Sequence, residues 1–92
     1  MKTIHTPEYK RLLEWLRKNR KEAGMTMRVV ALALKIPHSW VGKVEIGERR
    51  LDILEFVKLC RVIGADEHEG LSLLASAAKK GRPAVAKKAR RR

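Results

Sequence analysis

Cysteine is almost absent from this chain of 92 residues: Cys60 stands alone. No disulfide framework can brace the fold, and a reducing compartment suits it. Aromatic residues are scarce at 4 %, which argues against the exposed ring platforms that readers of single-stranded RNA use. No run approaches the ~20 apolar residues of a membrane-spanning helix, and the opening "MKTIHTPEYKR" lacks the apolar stretch of a secretion signal. A soluble, cytoplasmic protein is expected. His5, His38 and His68 lack metal-ligand spacing and Cys60 has no second thiol near it, so no metal is expected. No glycine-rich phosphate loop and no convergent pair of nucleophile and base is present. Neither an enzyme nor a cofactor is implied.

Anions are in short supply, and that shortage is the strongest global signal. Ten acidic residues face 22 lysines and arginines, a net charge of +12. Residues 79–92, "KKGRPAVAKKARRR", hold eight of those cations and no anion. A basic body with a more basic tail points to a polyanion: DNA, RNA or an anionic membrane face. The alternative is a solubilising tail on an unrelated domain. The tail has too little hydrophobicity to insert into a bilayer, so no membrane partner is expected.

The length allows one domain, which buries only about 60–65 % of its unfolded surface and leans towards a partner. Helical periodicity runs through it. Thr6 and Pro7 open a first helix in which Tyr9, Leu12, Leu13, Leu16 and Ala23 share the core face, ended by Gly24. Thr26 caps a short second helix, "MRVVALALK", with Val30, Ala31 and Leu34 as core positions, broken at Ile36–Pro37. A third helix is expected from about His38 to Glu45, with Val41 and Val44 inward. Asp52 and Glu55 have capping-box spacing before a fourth helix through Phe56, Leu59, Cys60 and Ile63. Asp66 and Glu69 repeat that spacing before a fifth, with Leu71, Leu74 and Ala78 on one side. The fold class is all-α, with residues 1–79 as the domain and 80–92 as a disordered basic tail.

Only about three residues separate the second and third helices, the spacing of a helix-turn-helix over about 26–46. The third helix then projects and fits the major groove, which admits one α-helix. Gly42 sits within it, at a cost of about 1 kcal/mol relative to alanine. Two explanations stay open. Another helix packs closely there, or the bare position lets the helix sit deeper so that Ser39 and Lys43, four apart, reach base edges.

The chain resembles the Xre/Cro-type helix-turn-helix repressors from Leu16 to Asp66. The residues that carry the resemblance are Arg20, "GMT" at 24–26, Val30–Ala31, "KIP" at 35–37, "VGKVE" at 41–45, "GER" at 47–49 and "FVKLCRVIGAD" at 56–66. It implies a compact five-helix, lambda-repressor-like domain that regulates transcription, acting as a repressor dimer on an inverted-repeat operator in double-stranded DNA. His38, Ser39 and Lys43 fall where such proteins read bases, with phosphate as the alternative contact for His38 at the helix start, and the bare Gly42 belongs to the same base-reading set. Arg49 and Arg50 fall where the family's loop approaches the DNA backbone, and Arg20 with Glu45 at a structural ion pair. Thr26, Arg28 and Lys35, around the second helix, are further candidates for phosphate contact, with a plain solvated surface as the alternative. Met27 replaces the family's common glutamine, and Pro37 its usual serine cap. Trp40 either lies against the DNA or covers the junction with the fourth helix.

Residues 52–79 are the candidate dimer surface, with Leu71, Leu73 and Leu74 as its contacts; a monomeric core would use the same leucines. "KGRPA" resembles an AT-hook core, so Lys80, Gly81, Arg82 and Pro83 are candidates for minor-groove insertion or for phosphate attraction alone. Two narrower roles fit the same chemistry: an antitoxin with a toxin as partner protein, or the controller of a restriction–modification or mobile-element operon. A nonspecific nucleoid-associated or RNA-binding protein is the rival from another class. No small-molecule ligand is implied.

Overall fold

Most of the helices start where a side chain accepts a backbone amide that the first turn leaves unpaired. In a computed structural model that describes residues 6–80, Thr6 Oγ1 accepts from the Tyr9 amide at 3.3 Å and α1 runs Pro7–Glu22. Thr26 Oγ1 accepts from the Val29 amide at 3.2 Å and opens α2, Met27–Leu34. Pro37 precedes α3, His38–Glu45, without a side-chain cap. At α4, Ile53–Ile63, the box closes in both directions: Asp52 Oδ1 takes the Glu55 amide at 2.8 Å and Glu55 Oε1 takes the Asp52 amide at 3.0 Å. α5 spans Glu67–Lys80. No strand occurs among the described residues. None of the described helices is long and apolar enough to cross a membrane.

Two local expectations fail. The Asp66 carboxylate accepts from the His68 amide at 2.9 Å, two residues on, so the reciprocal box with Glu69 does not form. Ala23, expected in the core, is the exposed C-cap of α1. It lies past the last helical turn, where the chain has already begun to swing away. The reversals after α1 and α4 use Gly24 and Gly64 at φ +73° and +74°, the left-handed region that glycine enters without strain. After α2 the same conformation falls on Lys35, at φ 60°. A residue with a Cβ pays roughly 1–2 kcal/mol there, so the sharp turn into α3 is imposed by tertiary packing.

The core is one cluster. Leu12, Leu13 and Leu16 of α1 meet Val30 and Ala31 of α2, Val41 and Val44 of α3, and Phe56, Leu59, Cys60 and Ile63 of α4. α5 lies along α1 and closes the far side of the bundle. It approaches through Gly70: a Cβ built there would stand 2.7 and 2.9 Å from ring carbons of Trp15 and 3.0 Å from Phe56. The Trp15 and Phe56 rings themselves are tilted by 35° with centroids 6.4 Å apart. The Leu51 amide donates to the Tyr9 hydroxyl at 3.3 Å, tying the loop before α4 to α1. These contacts leave α2 and α3 together at the opposite end from α5, with α3 seated on α2 and α1. Gly81, Arg82 and Pro83, with the rest of the expected basic tail to residue 92, lie outside the described residues.

Candidate nucleic-acid interface

The inward side of α3 is locked. Val41 and Val44 are each 1 % exposed, and Glu45, at the helix end, is turned into the protein. Its carboxylate takes both ends of the Arg20 fork, from Nε at 2.6 Å and from Nη2 at 3.0 Å. The remaining Arg20 nitrogen, Nη1, donates to the Met25 carbonyl at 2.9 Å. Both side chains are nearly buried, at 8 % and 7 % exposure. Removing one member of such a pair strands the other charge out of water, at about 3–5 kcal/mol. The pair therefore pins α1 to α3 and removes an anion from the outer surface.

The outward side is open and cationic. His38, Ser39 and Lys43 are exposed, and Gly42 lies half-exposed on the same face. Around them Thr26, Arg28, Lys35 and Arg50 are also exposed. Between residues 26 and 50 the cations are Arg28, Lys35, Lys43, Arg49 and Arg50, and the anions are Glu45 and Glu48. With Glu45 turned inward and Arg49 paired to Glu55 of α4, Glu48 faces four cations that have no ion-pair partner among the described residues: Arg28, Lys35, Lys43 and Arg50. The Thr26 hydroxyl accepts the Val29 amide and still has a proton to donate.

Arg49 is placed differently from its neighbours. Its Nη1 and Nη2 donate to the two Glu55 oxygens at 3.0 and 3.2 Å, and Nη1 also donates to the Arg50 carbonyl. The guanidinium carbon lies 5.1 Å from the centre of the Trp40 ring, a cation–π distance. Trp40 is thereby held at the junction with α4, beside a depression of about 210 Å³ lined by Leu34, Ile36, Glu55 and Lys58. The Arg49 guanidinium, then the Asp52 amide, hold the Glu55 carboxyl below its ordinary pKa. Nothing in the sequence pattern signals this three-way contact.

Gly42 is not demanded by the interior. A Cβ there would meet only Met27 Sδ, at 3.7 Å, an ordinary contact distance. The close helix–helix approach that would explain the glycine is absent at this position. The apolar face at the other end of the domain is separate from this surface. Leu71 is 46 % exposed, Leu73 and Leu74 are half-buried, and Leu71 and Leu74 line a cavity of about 100 Å³ with Tyr9, Leu12, Leu51, Ile53 and Phe56. Beside it Ile53 and Leu54 of α4 are 80 % and 61 % exposed. Cys60 is fully buried, and burial, then the charges of Glu67 and Asp66, push its thiol up to about 11. No group of His, Cys, Asp and Glu among the described residues could hold a metal ion.

Residues 11–73, more than half of the chain, match the family model of a helix-turn-helix domain. A solved structure described as an XRE-family like protein from Pseudomonas syringae pv. tomato str. DC3000 is 43 % identical, covers 89 % of this chain and 95 % of its own, and superposes with a TM-score of 0.68. The chain belongs to the Xre-type helix-turn-helix family. None of the curated proteins matches it. As an Xre-type protein it is a DNA-binding transcription regulator.

Proposed function

We propose that this Xre-type protein is a repressor that binds an inverted-repeat operator as a homodimer. One observation carries the reading: α3 has a locked inner side and an outer side on which Ser39 and Lys43 are exposed and Gly42 is half-exposed. Lys43 donates to guanine O6 and N7 in the major groove, and Ser39 donates or accepts beside it. His38, at the start of the helix, sits at the groove edge. Thr26, Arg28, Lys35 and Arg50 hold the phosphate backbone, which positions the helix without reading sequence. Arg49 adds to them only as far as it gives up its Glu55 partner. Lys80 to Pro83 and the cations after them attract phosphates of any duplex.

A single eight-residue helix contacts too few bases for high selectivity, so two copies are needed. The exposed Ile53, Leu54 and Leu71, with Leu73 and Leu74, favour residues 52–79 as the surface through which they join. The two recognition helices would then lie about 34–36 Å apart, one turn of duplex. Selecting bound fragments from random duplex DNA tests the proposal. A palindromic site is the expected product, and Lys43→Ala then levels the ranking among its variants. Removing residues 80–92 weakens all duplexes alike and shallows the salt dependence. An unchanged ranking with Lys43→Ala would show that the base reader lies elsewhere.

A further inference from the structure

Met27 is the first residue of α2, half-buried between the exposed Thr26 and Arg28. Its side chain crosses to α3, where Sδ lies 3.7 Å from the point that a Cβ on Gly42 would occupy. Ser39 and Lys43 flank Gly42 on the same face, both exposed. A thioether beside bare backbone thus forms a small apolar floor within a polar, cationic surface. Core packing gives no reason for keeping position 42 bare beside it, because a methyl group would fit without displacing anything in the free protein.

A thioether donates no hydrogen bond and accepts only weakly, so it cannot read the polar edge of a base. It makes soft, polarizable contacts with apolar groups. The major groove presents one such group, the C5-methyl of thymine. Resting on the DNA reading proposed above, we infer that Met27 is a specificity-determining residue which, with the bare backbone of Gly42, receives the C5-methyl group of one thymine in each half-site. Gly42 is then bare because a Cβ would stand between the thioether and that methyl group. Ser39 and Lys43 read hydrogen-bonding edges, and Met27 reads shape and apolarity beside them.

The test uses the full chain and its selected duplex, with each thymine replaced in turn by deoxyuridine. That change deletes one methyl group and leaves pairing and polar edges intact. Binding should weaken about four-fold at one thymine per half-site, the worth of one methyl-sized contact, and stay unchanged at the other thymines. Met27→Ala should bind the thymine and uracil forms of that site equally. Gly42→Ala should shrink the same difference, and it guards against a loss of folding in Met27→Ala. Wild-type protein indifferent to every replacement would overturn the inference while leaving site-specific binding through Ser39 and Lys43 intact. So would a folded Met27→Ala that still discriminates. A chain with no preferred duplex overturns the proposed operator reading instead, and this inference with it.

Discussion

Gly70 in α5 and Gly42 in α3 are both helical glycines, and each forgoes about 1 kcal/mol of helix propensity relative to alanine. At Gly70 the cause is internal. Trp15 and Phe56 occupy the space that a side chain would need, at 2.7 to 3.0 Å from its first atom. At Gly42 the nearest atom would be 3.7 Å away and the position is half-exposed, so nothing inside the protein requires the vacancy. Identical residues in helices thus differ in what surrounds them: the fold requires the bare position at Gly70 and does not require it at Gly42. The same division separates the two sides of α3, where Glu45 is buried against Arg20 and Lys43 is exposed without an ion-pair partner among the described residues.

Substitutions can break this contrast in a defined order. Glu45→Ala should have the largest effect, about 3–5 kcal/mol of stability, because Arg20 is left buried without its anion; chemical denaturation measures it. Gly70→Ala should cost about 1–3 kcal/mol through overpacking against Trp15, read as a melting temperature lower by roughly 4–8 °C for each kcal/mol. Gly42→Ala should do the opposite to the fold and harm only binding. Its melting temperature should rise, by up to about 1 kcal/mol of added helix stability, while operator affinity falls about four-fold, the worth of the methyl-sized contact it displaces. A Gly42→Ala protein that melted lower than the parent would erase the distinction between the two glycines.

The smallest effect concerns pH. The folded-state pKa of Glu55 is depressed below its ordinary 4.5 by Arg49 and the Asp52 amide. Its contribution is therefore whole above that ordinary value and is lost as pH falls through the lower folded one. Glu55→Gln should flatten the acid limb of the stability profile slightly in thermal melts taken from pH 6 to pH 3. A larger change would mean that the Arg49–Glu55 pair contributes more than its partial exposure suggests.

Much of the fold was legible because helix termini are governed by residues three or four apart. Thr6, Thr26 and the Asp52–Glu55 box place α1, α2 and α4, and the valine pair at 41 and 44 orients α3 correctly. The Asp66–Glu69 spacing misleads for a local reason too: the same carboxylate closes a two-residue turn onto His68. What escaped the sequence depends on docking. Gly70 meets Trp15 across 55 positions of chain, and Arg49 meets Trp40 and Glu55 from opposite directions. No pattern of spacing encodes such encounters, since they exist only once the helices are in place. For the interface, the outward direction of Ser39 and Lys43 follows from helical periodicity alone, whereas the thioether beside Gly42 requires the packed pair.

The burial of Cys60 makes the protein its own unfolding gauge. With the sulfur shut away from solvent and its proton held to about 11, a thiol reagent at neutral pH has no nucleophile to meet until the domain opens. Since no other cysteine exists in the chain, every labelled molecule records one opening event. Where reclosure outpaces labelling, the rate reports the fraction of molecules open at equilibrium, and adding an operator duplex should lower that fraction in proportion to how tightly the folded form is held.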